Sequence, residues 1–179
     1  MAGLLATDLQ FYSRRLTLDK GSQHGVYSGQ PVLNAHGVVG QIVEVGLYSS
    51  IAMLITDSSH AVPVQVLRNG LRAVVEGRGA SNRLALPYLS MSADIQVDDL
   101  LVTSGLGGVF PPNYPVAIVK SVERNPGQTF MTISAEPLAL LDSGREVLLI
   151  WNTQDIESDE KNTASSKDES DLTETDRAQ

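Results

Sequence analysis

The chain of 179 residues contains no cysteine, and this absence removes several classes of function at once. Thiol catalysis, cysteine-ligated zinc and disulfide crosslinks are all excluded. Aromatic residues make up only 5% of the chain, with a single tryptophan, so no aromatic platform for stacking sugars or bases is evident. No apolar run reaches the roughly 18 residues of a membrane helix, and no signal peptide is visible. We therefore expect a soluble segment, with any membrane anchor outside it.

Charge is distributed unevenly along the chain. The net charge is −8, which argues against nucleic acid or an anionic membrane surface as the main partner. Residues 152–179 hold 9 of the 21 acidic residues and 3 of the 13 basic ones, so residues 1–151 keep 12 and 10. This last segment has only two large aliphatic side chains, Ile156 and Leu172. We predict that it is a disordered acidic tail, a solvated extension more than a regulatory element.

The rest of the chain alternates apolar and polar residues in short bursts that end at glycine, proline, asparagine or aspartate. RRLTLDKG from Arg14 and REVLLIWN from Arg145 are two examples of this period of two, which is typical of half-buried strands. About ten such segments occur, and none sustains a helical period. Pro63 predicts an edge position, because proline cannot donate to a strand ladder. The pattern favours an all-β fold, either a sandwich or a barrel.

Two parts of the chain repeat one pattern of apolar residues. Residues 26–33 resemble residues 97–102, and residues 39–45 resemble residues 116–122. The first copy joins its blocks with the short turn NAHG, whereas the second inserts a loop of about eight residues. We predict two similar β units at residues 1–78 and 79–151, between which strands can be exchanged. Chance similarity between β segments is the open alternative.

The inserted loop, TSGLGGVFPPNYPV at residues 103–116, holds three glycines and three prolines. A glycine-rich loop can cradle a phosphate, but no Gly-Lys-Ser/Thr follows here, and the prolines do not begin a helix. We predict that Gly105, Gly107 and Gly108 occupy backbone turns with unusual dihedral angles. Thr103 and Ser104 are expected at the end of the preceding strand. The sequence predicts no cofactor and no metal site.

The hypothesis that the same loop belongs to a serine hydrolase, active or degenerate, stays open as an alternative. A His–Asp–Ser order like that of a trypsin-like double barrel can be assembled from residues spread along the chain. The residues considered are the histidines His24, His36 and His60, the aspartates Asp57 and Asp94, and Ser104. The chemistry needs a base within hydrogen-bond reach of the nucleophile and an oxyanion hole, and no local motif supports either.

Apolar and aromatic side chains follow the glycines on what should be an exposed loop. They are Phe110, Pro111, Pro112 and Tyr114. Prolines pre-order a loop, so that less entropy is lost when it docks on a partner, and these residues are candidate partner contacts. The equally supported alternative is that Phe110 folds back and closes the end of a barrel.

The loop also carries a family resemblance. Residues 103–127, TSGLGGVFPPNYPVAIVKSVERNPG, closely resemble the signature of the rod shape-determining MreC family. Residues 16–32, 37–46, 54–66 and 145–150 resemble further family segments, in the same order. The sequence departs from the family pattern at Asp98, where glycine is usual, and at Ala117 and Ile118, where Gly-Arg is usual.

This resemblance implies two small six-stranded β-barrels and a non-enzymatic scaffold of bacterial cell-wall elongation. Family members lie on the periplasmic face of the cytoplasmic membrane and contact the elongation penicillin-binding protein, a transpeptidase, and other membrane proteins of the wall-synthesis complex. Self-association is expected of the full-length protein, whose membrane helix and coiled coil are absent from this chain. A glycan-binding module is a further alternative.

Overall fold

The computed structural model describes residues 1–9, 14–79, 82–141 and 146–151, which form twelve strands and one short 3₁₀ helix at Ser22–His24. No helix within these residues is long and apolar enough to cross a membrane. The strands are β1 (Ala2–Leu9), β2 (Arg14–Leu18), β3 (Pro31–Asn34), β4 (Gly37–Val45), β5 (Ser50–Leu54), β6 (Ala61–Val66), β7 (Arg72–Gly77), β8 (Leu84–Ala85), β9 (Leu100–Thr103), β10 (Pro115–Glu123), β11 (Thr132–Pro137) and β12 (Glu146–Leu149).

These strands close into two antiparallel six-stranded barrels. The first barrel has the spatial order β1-β12-β3-β4-β5-β2, and the second has the order β10-β11-β8-β7-β6-β9. The predicted all-β fold with two six-stranded barrels is therefore confirmed. The predicted acidic tail at residues 152–179 lies outside the described residues.

The division between the barrels differs from the one expected at residues 78 and 79. β6 and β7 belong to the second barrel, because β6 pairs with β9 and β7 pairs with β8. The first five strands leave the first barrel one strand short, and β12 fills the gap by pairing with β1 and β3. Each barrel therefore takes strands from both sides of residues 78 and 79 or from beyond its own segment, because a closed barrel has no exposed edge and needs its sixth strand.

Pro63 also differs from its expected edge position. It lies in β6 of a closed barrel, opposite Val74 of β7. On the other side of β6, the pairing with β9 begins only at Val64, which lies opposite Thr103. The strand can hold a proline because Pro63 lies beyond the end of that ladder, where no N–H donor is required.

Alternating burial explains why these sequences form strands. Along β6, Val62, Val64 and Val66 are fully buried and point into the second barrel, while the residues between them are not. The core of the second barrel also includes Leu33 of β3 and Val38 of β4. The two barrels therefore share apolar contacts, and each buried valine or leucine contributes about 1.5–3 kcal/mol to stability.

Polar contacts and close backbone packing fix the barrels against each other. The Arg14 backbone N–H donates to Asp57 Oδ2 at 2.7 Å, and Arg14 Nη1 donates to Asn82 Oδ1 at 3.0 Å. A Cβ atom at Gly37 in the first barrel would lie 2.4 Å from the carbonyl oxygen of Pro115 in the second. The end of the β3–β4 turn therefore packs directly against the end of the loop that carries the family signature.

Candidate functional site

Thr103, the last residue of β9, anchors the candidate loop at its base. The side chain is fully buried. Its Oγ1 donates to the Pro111 carbonyl oxygen at 2.5 Å and accepts a hydrogen bond from the Tyr114 N–H at 2.9 Å. The Thr103 N–H donates to the Tyr114 carbonyl oxygen, and the Thr103 carbonyl oxygen accepts from the Asn113 N–H. One threonine thus satisfies polar groups at both ends of the loop and holds its ends together.

Three glycines make the turns of the loop possible. Gly105, Gly107 and Gly108 have φ angles of 76°, 79° and 70°, in the left-handed region that favours glycine. At Gly105 the space is limited as well, because a Cβ atom there would lie 3.2 Å from Pro112 Cβ. These positions therefore set the shape of the backbone and bring Pro112 back over the start of the loop.

Ser104 and His60 do not form the pair that a hydrolase needs. Ser104 Oγ accepts a hydrogen bond from the Leu106 N–H at 3.3 Å. The buried His60 ring packs edge-on against Phe110, with 6.2 Å between the ring centroids. Within the described residues neither His60 ring nitrogen has a hydrogen-bond partner. The geometry places the Phe110 ring against the imidazole, and no hydroxyl of the described residues is hydrogen-bonded to it.

The electrostatics of His60 also argue against a role as a general base. Burial lowers its pKa to about 4, and the nearby negative charge of Asp57 offsets part of that shift. A general base is most effective with a pKa near the working pH. The imidazole is therefore neutral and weakly basic at neutral pH, as expected for a packing residue.

Asp94 forms an ion pair with Arg68 in the second barrel. Arg68 donates to both of its carboxylate oxygens at 2.9 and 3.1 Å, and the pKa of Asp94 is lowered to about 2 by hydrogen bonds from Arg68 and Asn69. Arg68 also donates to Asp99 and lowers the pKa of that carboxyl. In the described part of the chain, no group of three or more His, Asp or Glu residues is placed to hold a metal ion.

The candidate partner contacts fall into two groups. Phe110 is only 4% exposed and lies in the core of the second barrel, so its assignment as a direct contact is corrected in favour of the alternative, in which it closes the barrel. Pro111 and Tyr114 are partly buried, whereas Pro112 is exposed. Leu106, which the sequence analysis did not select, is 47% exposed. We call Leu106 and Pro112 the loop rim.

A second exposed apolar feature was also missed. Tyr88 and Phe130 stack edge to face with 5.8 Å between ring centroids, although they are 73% and 43% exposed. Tyr88 has a φ of 64°, an uncommon conformation for an aromatic residue. The sequence shows each ring only as an aromatic residue near the end of a strand, Tyr88 after a proline and Phe130 before a methionine. Nothing in either local sequence indicates that the two rings pack together.

Comparison with known proteins decides the family. The family model described as rod shape-determining protein MreC, barrel core, matches residues 4–151. The chain belongs to the MreC family. Proteins named cell shape-determining protein MreC are similar to it at 45% identity over 151 residues in Haemophilus influenzae and at 49% over 140 residues in Escherichia coli K12. These matches cover 84% and 78% of this chain but only 43% and 38% of those proteins.

Solved structures agree with the family assignment. The crystal structure of MreC from Pseudomonas aeruginosa is 47% identical with a TM-score of 0.80, over 84% of this chain and 97% of that one. A solved complex between the penicillin-binding protein PBP2 and MreC from Helicobacter pylori matches at 18% identity with a TM-score of 0.62, over 83% of this chain and 97% of that one. This second likeness shows the fold alone. The resemblance carried by residues 103–127 is confirmed.

Proposed function

We propose that this chain is the barrel part of a non-catalytic scaffold that maintains rod shape by binding proteins of cell-wall elongation. The observation that carries the proposal is the family match over residues 4–151, because it spans both barrels and the loop between β9 and β10. The two similar bacterial proteins are named as cell shape-determining. The packing of His60 against Phe110 supports a role other than catalysis.

The partner we propose is the elongation penicillin-binding protein on the periplasmic side of the cytoplasmic membrane. The support is the Helicobacter pylori relative, which is solved in complex with a penicillin-binding protein. Other membrane proteins of the wall-synthesis complex and further copies of the full-length protein are additional proposed partners. Two barrels held together by shared core residues give such a scaffold a rigid surface.

The loop rim is the surface through which we propose that the transpeptidase is bound. Leu106 and Pro112 are exposed on a loop whose base is fixed by the Thr103 hydrogen bonds, and Pro111 and Tyr114 flank them. An ordered loop loses little conformational entropy on docking. Apolar side chains that are already held in place make effective contact points at an interface.

A binding titration tests the proposed function. The extracytoplasmic domain of the elongation transpeptidase from the same organism is immobilised, and the whole chain is titrated over it by surface plasmon resonance. We expect saturable binding with a Kd of about 1–100 μM, in the range of a transient interface. The control surface carries a transpeptidase domain from outside the elongation complex. A folded chain that shows no saturable binding at several times the upper end of this range, or equal binding to both surfaces, would contradict the proposal.

A further inference from the structure

A polar cleft lies on the outer face of the second barrel, apart from the loop rim. Its volume is about 360 Å³, within the range of small-molecule sites. The polar side chains of its lining are Asn82, Arg83, Lys120, Ser121, Ser134 and Glu136. None of the loop residues 103–114 contributes to the lining. The cleft is therefore a separate feature from the surface assigned to the protein partner.

The hydrogen-bonding groups of this cleft are available. Ser121 of β10 lies directly opposite Ser134 of β11, so both hydroxyls are on the same face of the sheet. Within the described part of the chain, neither hydroxyl forms a hydrogen bond, and the Arg83 guanidinium forms no hydrogen bond or ion pair. Lys120 Nζ lies 3.6 Å from Glu136 Oε2, and both side chains are about half exposed or more. Such a surface pair is weak and can be rearranged at little cost.

Backbone irregularities position two members of the cleft. The β10–β11 register shifts between Val119 and Ser121, which leaves Lys120 at a β-bulge. A bulge changes the direction of a side chain and is common beside functional sites. Asn82 has a φ of 47° and is held by Arg14 Nη1 of the first barrel. The wall of the cleft is thus fixed from both barrels.

The charges of the cleft select one class of ligand. A guanidinium matches the two oxygens of a carboxylate with a fork of donors, and a second cation lies nearby at Lys120. Glu136 in the same cleft repels a dianion such as phosphate, but it can accept from an N–H of a ligand. A monoanionic carboxylate beside an amide has the groups that these side chains complement.

We propose that this cleft binds the carboxylate end of a short peptide, with Arg83 and Lys120 contacting the carboxylate and Ser121, Ser134 and Glu136 contacting the neighbouring amide. This binding is independent of the proposed transpeptidase contact, because the two surfaces share no residue.

The test is an NMR titration of the ¹⁵N-labelled whole chain with N-acetyl-alanine, against its neutral match N-acetyl-alaninamide and against inorganic phosphate. We expect saturable shifts at residues 82–83, 120–121 and 134–136, with a Kd of about 1–10 mM for the carboxylate. The neutral amide should bind about tenfold more weakly, since the charge-assisted contacts are lost. Phosphate should also bind more weakly than the carboxylate.

Single substitutions test whether Arg83 and Lys120 contact the carboxylate. Arg83→Gln and Lys120→Gln should each weaken binding of N-acetyl-alanine by about fivefold to tenfold. Arg72→Gln, an exposed arginine of the same barrel outside the cleft, should leave the Kd unchanged. The spectrum away from the cleft shows that each variant is folded. The proposal is overturned by unsaturable shifts, by equal binding of the amide, by tighter binding of phosphate, or by equal effects of Arg83→Gln and Arg72→Gln.

Discussion

The two barrels share one strand framework and differ in the connection that carries the candidate site. In the first barrel Val32 of β3 pairs with Gly40 of β4, eight positions later, across a tight turn. In the second barrel Leu101 of β9 pairs with Ala117 of β10, sixteen positions later. The second connection is therefore longer by eight residues.

The correspondence extends to irregular details of the backbone. β4 has a register shift between Ile42 and Glu44, and β10 has one between Val119 and Ser121. The Gly29 N–H donates to the Ile42 carbonyl oxygen at 2.8 Å, just as the Asp98 N–H donates to the Val119 carbonyl oxygen at 2.9 Å. A barrel of this kind closes with only a tight turn at this point. The eight added residues are therefore not required for the strand pairing at this point. Three tests address this comparison.

The largest expected effect is that of removing the Phe110 ring, which the longer loop places in the core of the second barrel. Phe110→Ala should lower the free energy of unfolding by about 3–5 kcal/mol, because the variant loses a buried ring and leaves a cavity. Urea unfolding measures this loss, and native-state hydrogen exchange should locate it in the second barrel. Phe130→Ala removes the same side chain from an exposed position and should cost only about 1 kcal/mol. Equal losses in the two variants would refute the role of Phe110 in closing the barrel.

The histidine that packs against the Phe110 ring of the longer loop should make the stability of the fold depend on pH. In the folded chain His60 stays neutral down to about pH 4, whereas the unfolded chain binds a proton near pH 6.5. The unfolded state therefore holds more protons between these values. Stability is full above pH 6.5 and falls as the pH drops towards 4, by at most about 3 kcal/mol.

Urea unfolding at a series of pH values, compared between variants, isolates this contribution. His60→Leu should flatten the pH dependence between 4 and 6.5 relative to the natural chain. If the natural chain and His60→Leu show parallel profiles, His60 is not held neutral in the fold.

The smallest expected effect tests the equivalence of Gly29 and Asp98. Both have positive φ angles, 91° and 69°, but only glycine adopts them without strain. Asp98→Gly should raise the thermal midpoint, corresponding to about 1 kcal/mol of relieved strain. Gly29→Ala should lower the thermal midpoint by a similar amount, because alanine is strained at this positive φ angle. Its Cβ atom would meet only ordinary contacts, so no clash adds to that strain. A lower midpoint for Asp98→Gly would mean that the aspartate side chain itself stabilises the turn.

The sequence predicted the strands better than their assembly. Alternation revealed most strands, but β1 was missed because AGLLATDL does not alternate cleanly. The place of β12 depends on Leu148 lying opposite Leu33, more than a hundred residues away, and no local pattern contains that information. The repeated unit was detectable because apolar residues recur at equivalent strand positions in the two copies, such as Val39 and Val116.

The candidate site was predictable only in its backbone. The presence of glycine at residues 105, 107 and 108 was enough to predict turns with left-handed backbone angles, and the structure has such angles there. The burial of Phe110 was undecidable, because an aromatic residue beside prolines fits an interface and a core equally well. Arg83, Lys120 and Ser134 are far apart in the chain, so only strand pairing and the path into β8 reveal the polar cleft.

The most direct test of the account is the affinity of the transpeptidase domain for chains altered in one connection at a time. Leu106→Ser with Pro112→Ser changes the exposed rim of the longer loop, and Ala35→Ser with His36→Gln changes the exposed turn of the first barrel. We predict that the first pair weakens binding by about tenfold and that the second pair has no effect. Unchanged affinity in the loop-rim variant, with the fold intact, would contradict the claim that the added loop carries the scaffold function.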